Sequence, residues 1–112
     1  MLRILYKTLK TGTVTANYPA SPELAPEGFR GKPEISADKC TFCGACASVC
    51  PPGVIRIKEE PGATSLSLYI CGCIFCGRCE EVCQPGAIAL SRDYELASKT
   101  KDDLIAVIRR KK

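Results

Sequence analysis

The sequence predicts a small α+β domain that is built from one unit used twice and is held together by metal bound to cysteine. Nine of the 112 residues are Cys, whereas His and Trp are absent. With only three Phe and one Met, a chain of this length buries too little apolar surface for a self-sufficient core. The cysteine pattern also recurs after 33 residues, and self-similarity at a fixed period is typical of a supersecondary unit used twice.

The composition excludes several function classes. Without His there is no Cys2His2 zinc finger, Rieske centre, His-ligated haem or His-based acid–base catalysis. The longest uncharged run, Pro61 to Gly77, has 17 residues, fewer than the roughly 20 apolar residues of a membrane span. Arg3 and Lys7 interrupt the apolar residues of the N-terminus, so no signal peptide is expected. In the reducing compartment of an unexported chain, clustered Cys are metal ligands rather than disulfides.

Three regions are predicted from the distribution of Cys, Pro and Gly. Residues 1–33 form a Cys-free docking arm, residues 34–92 hold all nine Cys, and residues 93–112 form a polar tail with a short helix.

Each copy of the repeat predicts a strand, a Cys-rich loop, a short helix and a second strand. The helices are expected at about residues 45–49 and 78–82, and the second strands at 54–58 and 87–91. Ile55 and Ile57 alternate with charged residues, the period of a half-buried strand. Pro61-Gly62 predicts the turn between the copies, and the repeat as a whole predicts a pseudo-twofold domain.

The two copies carry the same cysteine motif. The first has Cys40, Cys43, Cys46 and Cys50, and the second has Cys73, Cys76, Cys79 and Cys83. The spacing C-x2-C-x2-C-x3-C-P is that of bacterial [4Fe–4S] proteins, in which the fourth Cys ligates the cluster of the other motif. We therefore assign cluster A to Cys40, Cys43, Cys46 and Cys83, and cluster B to Cys73, Cys76, Cys79 and Cys50. Zinc is the alternative, although zinc sites usually use paired C-x2-4-C arms.

Two residues depart from the repeat. Cys71 is an additional Cys, and we interpret it as a small buried residue beside cluster B. The alternative is that it is a substitute ligand of cluster B or a thiol that tunes its potential. Gln84 replaces the Pro that follows the fourth Cys of the first motif. An additional N–H there would raise the potential of cluster A if it bonded to sulfur, but Pro85 is sufficient to end the helix.

The arm and the tail both carry short apolar stripes. Leu2, Leu5 and Leu9 fit one face of a helix, which is either a docking element or a terminus packed on its own domain. Tyr18 and Phe29 are costly to leave in water, so the arm is expected to lie on a partner. In the tail, residues 100–104 are read as the start of a helix that ends in the basic residues 109–112.

The formal net charge of +4 is a weak indication of a nucleic-acid partner. Each oxidised cluster with its four thiolates contributes about −2, which brings the loaded domain close to neutral. There is also no basic patch interleaved with aromatic residues, so we expect no nucleic-acid partner.

The segments around the motifs resemble a known family. They are Thr11-Gly12-Thr13-Val14-Thr15, Tyr18-Pro19, Phe29-Arg30-Gly31-Lys32-Pro33, the second motif from Cys73 to Cys83, and Asp93-Tyr94-Glu95-Leu96-Ala97. Together they resemble the dicluster ferredoxin subunit of formate hydrogenlyase and of energy-converting, membrane-bound [NiFe] hydrogenases, including CO-linked ones. That subunit is similar to the ferredoxin-like subunit of respiratory complex I.

The resemblance implies a bacterial dicluster ferredoxin fold. Short antiparallel strands and two short helices would surround two [4Fe–4S] clusters, with an N-terminal arm and a C-terminal helix added. It also implies a peripheral, non-catalytic subunit on the cytoplasmic face of the membrane that relays single electrons to the hydrogenase small subunit. The implied partners are the small, large and membrane subunits, and a donor such as a ferredoxin (CO dehydrogenase-linked or not) or formate dehydrogenase.

Two other functions are open at this stage. A free soluble ferredoxin would carry electrons by diffusion and would not need the arm. A zinc-bound nucleic-acid module would use the basic tail and would be colourless. The identity of the donor, the cluster potentials and the direction of electron flow are not encoded in the motifs.

Overall fold

Short helices and strands make up the part of the chain that the computed structural model describes, residues 1–111. They are α1 (Leu2–Thr11), β1 (Pro33–Ile35), α2 (Ala45–Ser48), β2 (Ile55–Glu60), β3 (Ala63–Tyr69), α3 (Arg78–Val82), β4 (Ile88–Leu90) and β5 (Ile105–Lys111). Single turns of 3-10 helix lie at Ile70–Gly72 and Asp102–Leu104. The predicted α+β class and the two short helices after the cysteine loops are confirmed.

The strands form two antiparallel sheets. β1 pairs with β4, and β3 lies between β2 and β5 in a three-stranded sheet. β2 and β3 form a hairpin in which Glu60 pairs with Ala63, so Pro61-Gly62 is a two-residue turn as predicted. Gly62 has φ 90°, a conformation that glycine adopts at little steric cost.

The apolar core lies between the three-stranded sheet and the cysteine loops. Its most buried side chains are Leu66 and Leu68 on β3, each 1% exposed. They are two residues apart, and side chains at that spacing point to the same face of a strand. Cys40 and Cys46 belong to the same buried cluster, so two thiols of the first motif are part of the core itself.

The sequence repeat is also a repeat of backbone conformation. Phe42 and Phe75 have φ 57° and 52°, and Gly44 and Gly77 have φ 82° and 80°. Each of these glycines immediately precedes a short helix, α2 or α3. Local geometry is therefore shared at the 33-residue spacing, while the pseudo-twofold arrangement of the whole domain stays a prediction.

The prediction of a helix in the C-terminal tail is wrong. Asp102–Leu104 forms one 3-10 turn, and Ile105–Lys111 continues as a strand along β3. The Asp103 carboxylate accepts a hydrogen bond from the Ser98 hydroxyl at 2.8 Å, in a local turn. Ile105, Val107 and Ile108 are β-branched residues that favour strands, and their strand supplies partners for the backbone groups of β3 that β2 leaves free.

The N-terminal helix α1 projects from the rest of the chain. Every residue from 1 to 24 is exposed, and no residue of α1 is buried. The radius of gyration is 20.0 Å and the longest dimension is 73 Å, whereas a compact domain of this length has a radius near 13 Å. No helix within residues 1–111 is long and apolar enough to cross a membrane.

The second half of the arm contacts the tail of the same chain. The Tyr18 hydroxyl donates to Glu95 Oε1 at 2.6 Å, and the ring of Phe29 packs edge-on against that of Tyr94 with centroids 6.2 Å apart. Tyr18 and Phe29 thus have contacts within the chain, while 54% and 38% of their surfaces stay exposed. That the arm lies on a partner stays a prediction.

Candidate metal centres

Two cavities bring the predicted cysteine quartets together. The first is lined by Cys40, Cys43, Cys46 and Cys83 and is small, about 20 Å³. The second is lined by Cys50, Cys73, Cys76 and Cys79 and is also about 20 Å³. Each cavity combines three Cys of one motif with the fourth Cys of the other, which is the crosswise arrangement predicted above. The identity of the ligands stays a prediction.

Local backbone conformation brings three Cys of each motif to one side. The left-handed Phe just before the second Cys of each motif and the left-handed glycine before the helix curl each loop. Since α2 and α3 pack against each other, the Cys that follows each helix lies beside the opposite loop. The walls between the thiols are apolar, with Leu66 and Ile88 at the first cavity and Val54, Ile55 and Leu90 at the second.

The thiols of the first cavity differ in their surroundings. Cys43 is exposed, and the backbone N–H of Ala45 and then the Thr41 side chain lower the pKa of its thiol. Cys46 is 7% exposed, and burial raises the pKa of its thiol. The thiols of the first cavity thus range from exposed at Cys43 to buried in the core at Cys46.

Burial dominates in the second cavity. It raises the pKa of the Cys73 thiol and raises that of Cys79 to about 11. These thiols hold their protons at neutral pH until a metal displaces them, because thiolate is the ligating form. A set of four half-buried thiols therefore fits a cationic metal core that compensates the charge of the thiolates.

Backbone N–H groups point at sulfur in both halves. The Ala87 N–H donates to Cys83 Sγ at 3.2 Å, and the Phe75 N–H donates to Cys73 Sγ at 3.4 Å. Such bonds stabilise negative charge on the sulfur and tune the potential of a bound cluster. The donor at the first site is Ala87, which Pro85-Gly86 turns back toward the sulfur. A hydrogen bond from Gln84 was only the alternative to the interpretation that Pro85 ends the helix.

The donor set of each cavity is four thiols. Soft thiolate ligands select zinc or iron–sulfur clusters, and zinc sites usually use paired C-x2-4-C arms rather than the C-x2-C-x2-C run of each motif. The donor set and its spacing therefore fit an iron–sulfur cluster.

Cys71 lies apart from both cavities. It is exposed in the 3-10 turn Ile70–Gly72, and its Sγ is 4.0 Å from the carbonyl oxygen of Lys101. The interpretation of Cys71 as a buried residue beside cluster B is therefore wrong. Its place at the surface follows from the turn, which directs it toward the tail.

The fold and the two thiol-lined cavities are typical of a ferredoxin-type iron–sulfur domain. Residues 33–56 match the family model described as "4Fe-4S binding domain". The second motif has the same spacing and local backbone conformation. The prediction of two [4Fe–4S] clusters as cofactors is confirmed.

The predicted resemblance is confirmed by curated relatives. The chain is 43% identical over 107 residues to formate hydrogenlyase subunit 6 of Escherichia coli (strain K12), a match that covers 94% of this chain and 59% of the relative. It is 37% identical over 71 residues to NADH-quinone oxidoreductase subunit I of Carboxydothermus hydrogenoformans, covering 61% and 51%. The chain thus spans between one half and three fifths of the length of these relatives.

A solved structure shares the fold. A chain in the structure of the membrane-bound sulfane sulfur reductase, an archaeal respiratory membrane complex, superimposes with a TM-score of 0.69. The match covers 90% of this chain and 56% of the other, at 22% sequence identity. The same arrangement of short strands and helices is therefore found in a respiratory complex.

Proposed function

We propose that this chain is the electron-relay subunit of a membrane-bound oxidoreductase complex of the formate hydrogenlyase or [NiFe] hydrogenase type. The observation that carries the proposal is the pair of four-thiol cavities in one small fold. The 43% identity to formate hydrogenlyase subunit 6 over 94% of the chain indicates which kind of complex the fold serves.

The chain's own residues bind, separate and shield the two clusters. When bound, a [4Fe–4S] cluster accepts and releases one electron at a time. Cys40, Cys43, Cys46 and Cys83 would hold cluster A, and Cys73, Cys76, Cys79 and Cys50 would hold cluster B. The apolar walls exclude water from the inner side of each cavity, and the packed helices α2 and α3 keep the two cavities adjacent. The electron passes without a protein acid, base or nucleophile.

The partners follow from this assignment. One partner is an electron donor, such as a ferredoxin or formate dehydrogenase, and the other is the small subunit of a hydrogenase, at the cytoplasmic face of the membrane. The exposed apolar residues of α1, among them Leu2 at 87% and Leu9 at 77% exposed, would be covered in the complex. Large apolar side chains grouped on an exposed face commonly mark an interface.

The first experiment tests the assembly. The tagged full-length chain is purified without oxygen from gently solubilised native membranes, and iron is counted. We expect about eight iron atoms per chain, four per cluster, together with hydrogenase-like and membrane subunits. Recovery of the same iron-loaded chain from the soluble fraction alone would contradict the relay proposal and favour a free ferredoxin.

A second experiment tests the crosswise ligands. The double variant Cys40→Ser with Cys83→Ser removes two ligands of one proposed cluster and should retain about four iron atoms. Cys40→Ser with Cys50→Ser removes one ligand from each cluster and should retain fewer. The reverse order of iron content would show that each motif ligates its own cluster. Cys71→Ser, which lies outside both cavities, is the matched control and should keep both clusters.

A further inference from the structure

The two cysteine loops differ at one matched position. A Cβ atom placed on Gly44 would lie 3.7 Å from Ile57 Cδ1. Its counterpart on Gly77 would lie 3.5 Å from Leu90 Cδ1, and Leu90 is the equivalent of Ile57 in the repeat. The same atom would also lie 3.4 Å from Arg30 Nε and 3.7 Å from Arg30 Cζ. The second loop is therefore covered by a guanidinium group that the first loop lacks.

Arg30 lies beside the second cavity. Gly77 sits between Cys76 and Cys79, two residues that line it. Phe75 lines both that cavity and an adjoining one of about 200 Å³, whose walls include Arg30 and Lys32. The positive charge is therefore separated from the four thiols by one loop.

The backbone around Arg30 is held in place by the tail. The Gly31 N–H donates to the Ser91 carbonyl and the Lys32 N–H donates to the Asp93 carbonyl, both at 2.9 Å. The ring of Phe29 packs on Tyr94. Since the residues on both sides are fixed, Arg30 is held close to the loop.

We propose that Arg30 is an electrostatic tuning residue that raises the reduction potential of cluster B and so separates it from that of cluster A. Reduction adds one negative charge to a cluster, and a nearby fixed cation stabilises that charge. Arginine stays protonated throughout the accessible pH range. Lys32 and Asp93 line the same adjoining cavity with opposite charges, so they offset each other and leave the Arg30 guanidinium beside Gly77 as the uncompensated charge. The inference rests on the ligand assignment proposed above.

The test is a redox titration of the full-length, iron-loaded chain followed by electron paramagnetic resonance. For Arg30→Gln we expect the ratio of reduced to oxidised cluster B at a fixed potential to fall about tenfold, which is about 59 mV for one electron. The reduction potential of cluster A should stay unchanged. Arg30→Lys keeps the positive charge and should change the reduction potential of cluster B little. Because Arg30 is exposed, the difference in potential between the Gln variant and the parent should shrink as salt is added.

Arg3→Gln is the matched control. It removes the same charge from α1, in which no residue is buried, and should leave both potentials unchanged. The proposal is overturned if Arg30→Gln leaves cluster B unmoved, if both clusters shift equally, or if Arg3→Gln has the same effect.

A variant that retains only one cluster distinguishes failure of this inference from failure of the proposed function on which it rests. In Cys40→Ser with Cys83→Ser, only cluster B is expected to remain, and Arg30→Gln should still lower its potential. If the parent chain itself holds fewer than two clusters, the proposed function fails. If it holds two and the potential in this background does not respond, the role of Arg30 fails alone.

Discussion

The hydrogen bond between Tyr18 and Glu95 joins the arm to the tail through two side chains. The Glu95 carboxylate, as acceptor, raises the pKa of the Tyr18 phenol above its ordinary value of 10.0. A group whose pKa is raised on folding contributes stability that is present below its unfolded pKa and is lost as the pH rises through the folded one. The contact should therefore hold at neutral pH and weaken in alkaline solution above about pH 10.

We predict that Glu95→Gln lowers the Tyr18 pKa toward 10.0. The amide keeps the size of the side chain, but its oxygen is a weaker acceptor for the phenol hydrogen than a carboxylate and it carries no negative charge to oppose ionisation of the phenol. The measurement is an NMR titration of the Tyr18 ring resonances in the parent chain and in the variant. An unchanged Tyr18 pKa would mean that the arm does not contact the tail in solution.

Gly31 marks a close approach between two backbone segments. A Cβ atom there would overlap the carbonyl oxygen of Asp93 and lie 2.6 Å from that of Ser91. We predict that Gly31→Ala lowers the free energy of unfolding by more than about 2 kcal/mol, since backbone atoms cannot yield as side chains do. A thermal melt of the iron-loaded chain, kept free of oxygen, measures it.

Gly28→Ala is the control for Gly31. Nothing lies within 4 Å of a Cβ on Gly28, although its φ is +77°, so the cost is the left-handed conformation alone, about 1 kcal/mol. Equal losses for the two variants would contradict the close packing of residues 30–33 against residues 91–93.

Among the elements, those with a local signal could be predicted from the sequence. α2, α3 and the β2–β3 turn depend on Gly, Pro and alternating residues within a few positions, and they lie where the pattern puts them. β5 could not be predicted, because the same residues 100–108 fit a helix start by local rules. Its strand form depends on the free edge of β3, some 40 residues away in sequence, which no local pattern reports.

The pairing of β5 with β3 makes a prediction at the level of this element. Ile108 lies opposite the buried Leu66, whereas Val107 is 48% exposed. Leu66 also lines the first cavity. We predict that Ile108→Ala destabilises the fold by roughly 2 kcal/mol and accelerates loss of cluster A.

The matched control is Val107→Ala, which should change stability by less than about 0.5 kcal/mol. Decay of the visible cluster absorbance after exposure to air or chelator gives the rate. If both variants decay alike, the side chain of Ile108 does not support the wall of the first cavity.

The candidate site likewise contains residues that the sequence predicts and residues that it does not. The eight motif Cys are read from spacing alone, because a loop of fixed length around a cluster needs fixed intervals. The Ala87 N–H and the Arg30 side chain could not be read that way. Ala87 reaches Cys83 through the turn at Gly86, and Arg30 reaches Gly77 from 47 positions away in sequence. Groups that tune the cluster potentials are brought close by tertiary contacts, and the spacing of the Cys ligands does not predict those contacts.

At the scale of the whole molecule, the arm carries the exposed helix α1 at its start and contacts the cluster-binding body with its second half. The longest dimension is 73 Å, against 29 and 23 Å for the others, because the exposed helix α1 extends away from the body. The first contact of the arm with the tail is at Tyr18, so residues 1–16 are the segment whose removal disturbs the body least.

We predict that a chain lacking residues 2–16 keeps about eight iron atoms and the Tyr18–Glu95 hydrogen bond, yet no longer sediments with membranes. The reason is that α1 supplies exposed Leu side chains for an interface and none for the core. The finer variant is Leu5→Ser with Leu9→Ser, which should lose membrane association in the full-length chain. Lys7→Gln, on the opposite face of α1, should retain it. Membrane association that survives the deletion would assign docking to the body, and loss of iron would show that α1 supports the clusters after all.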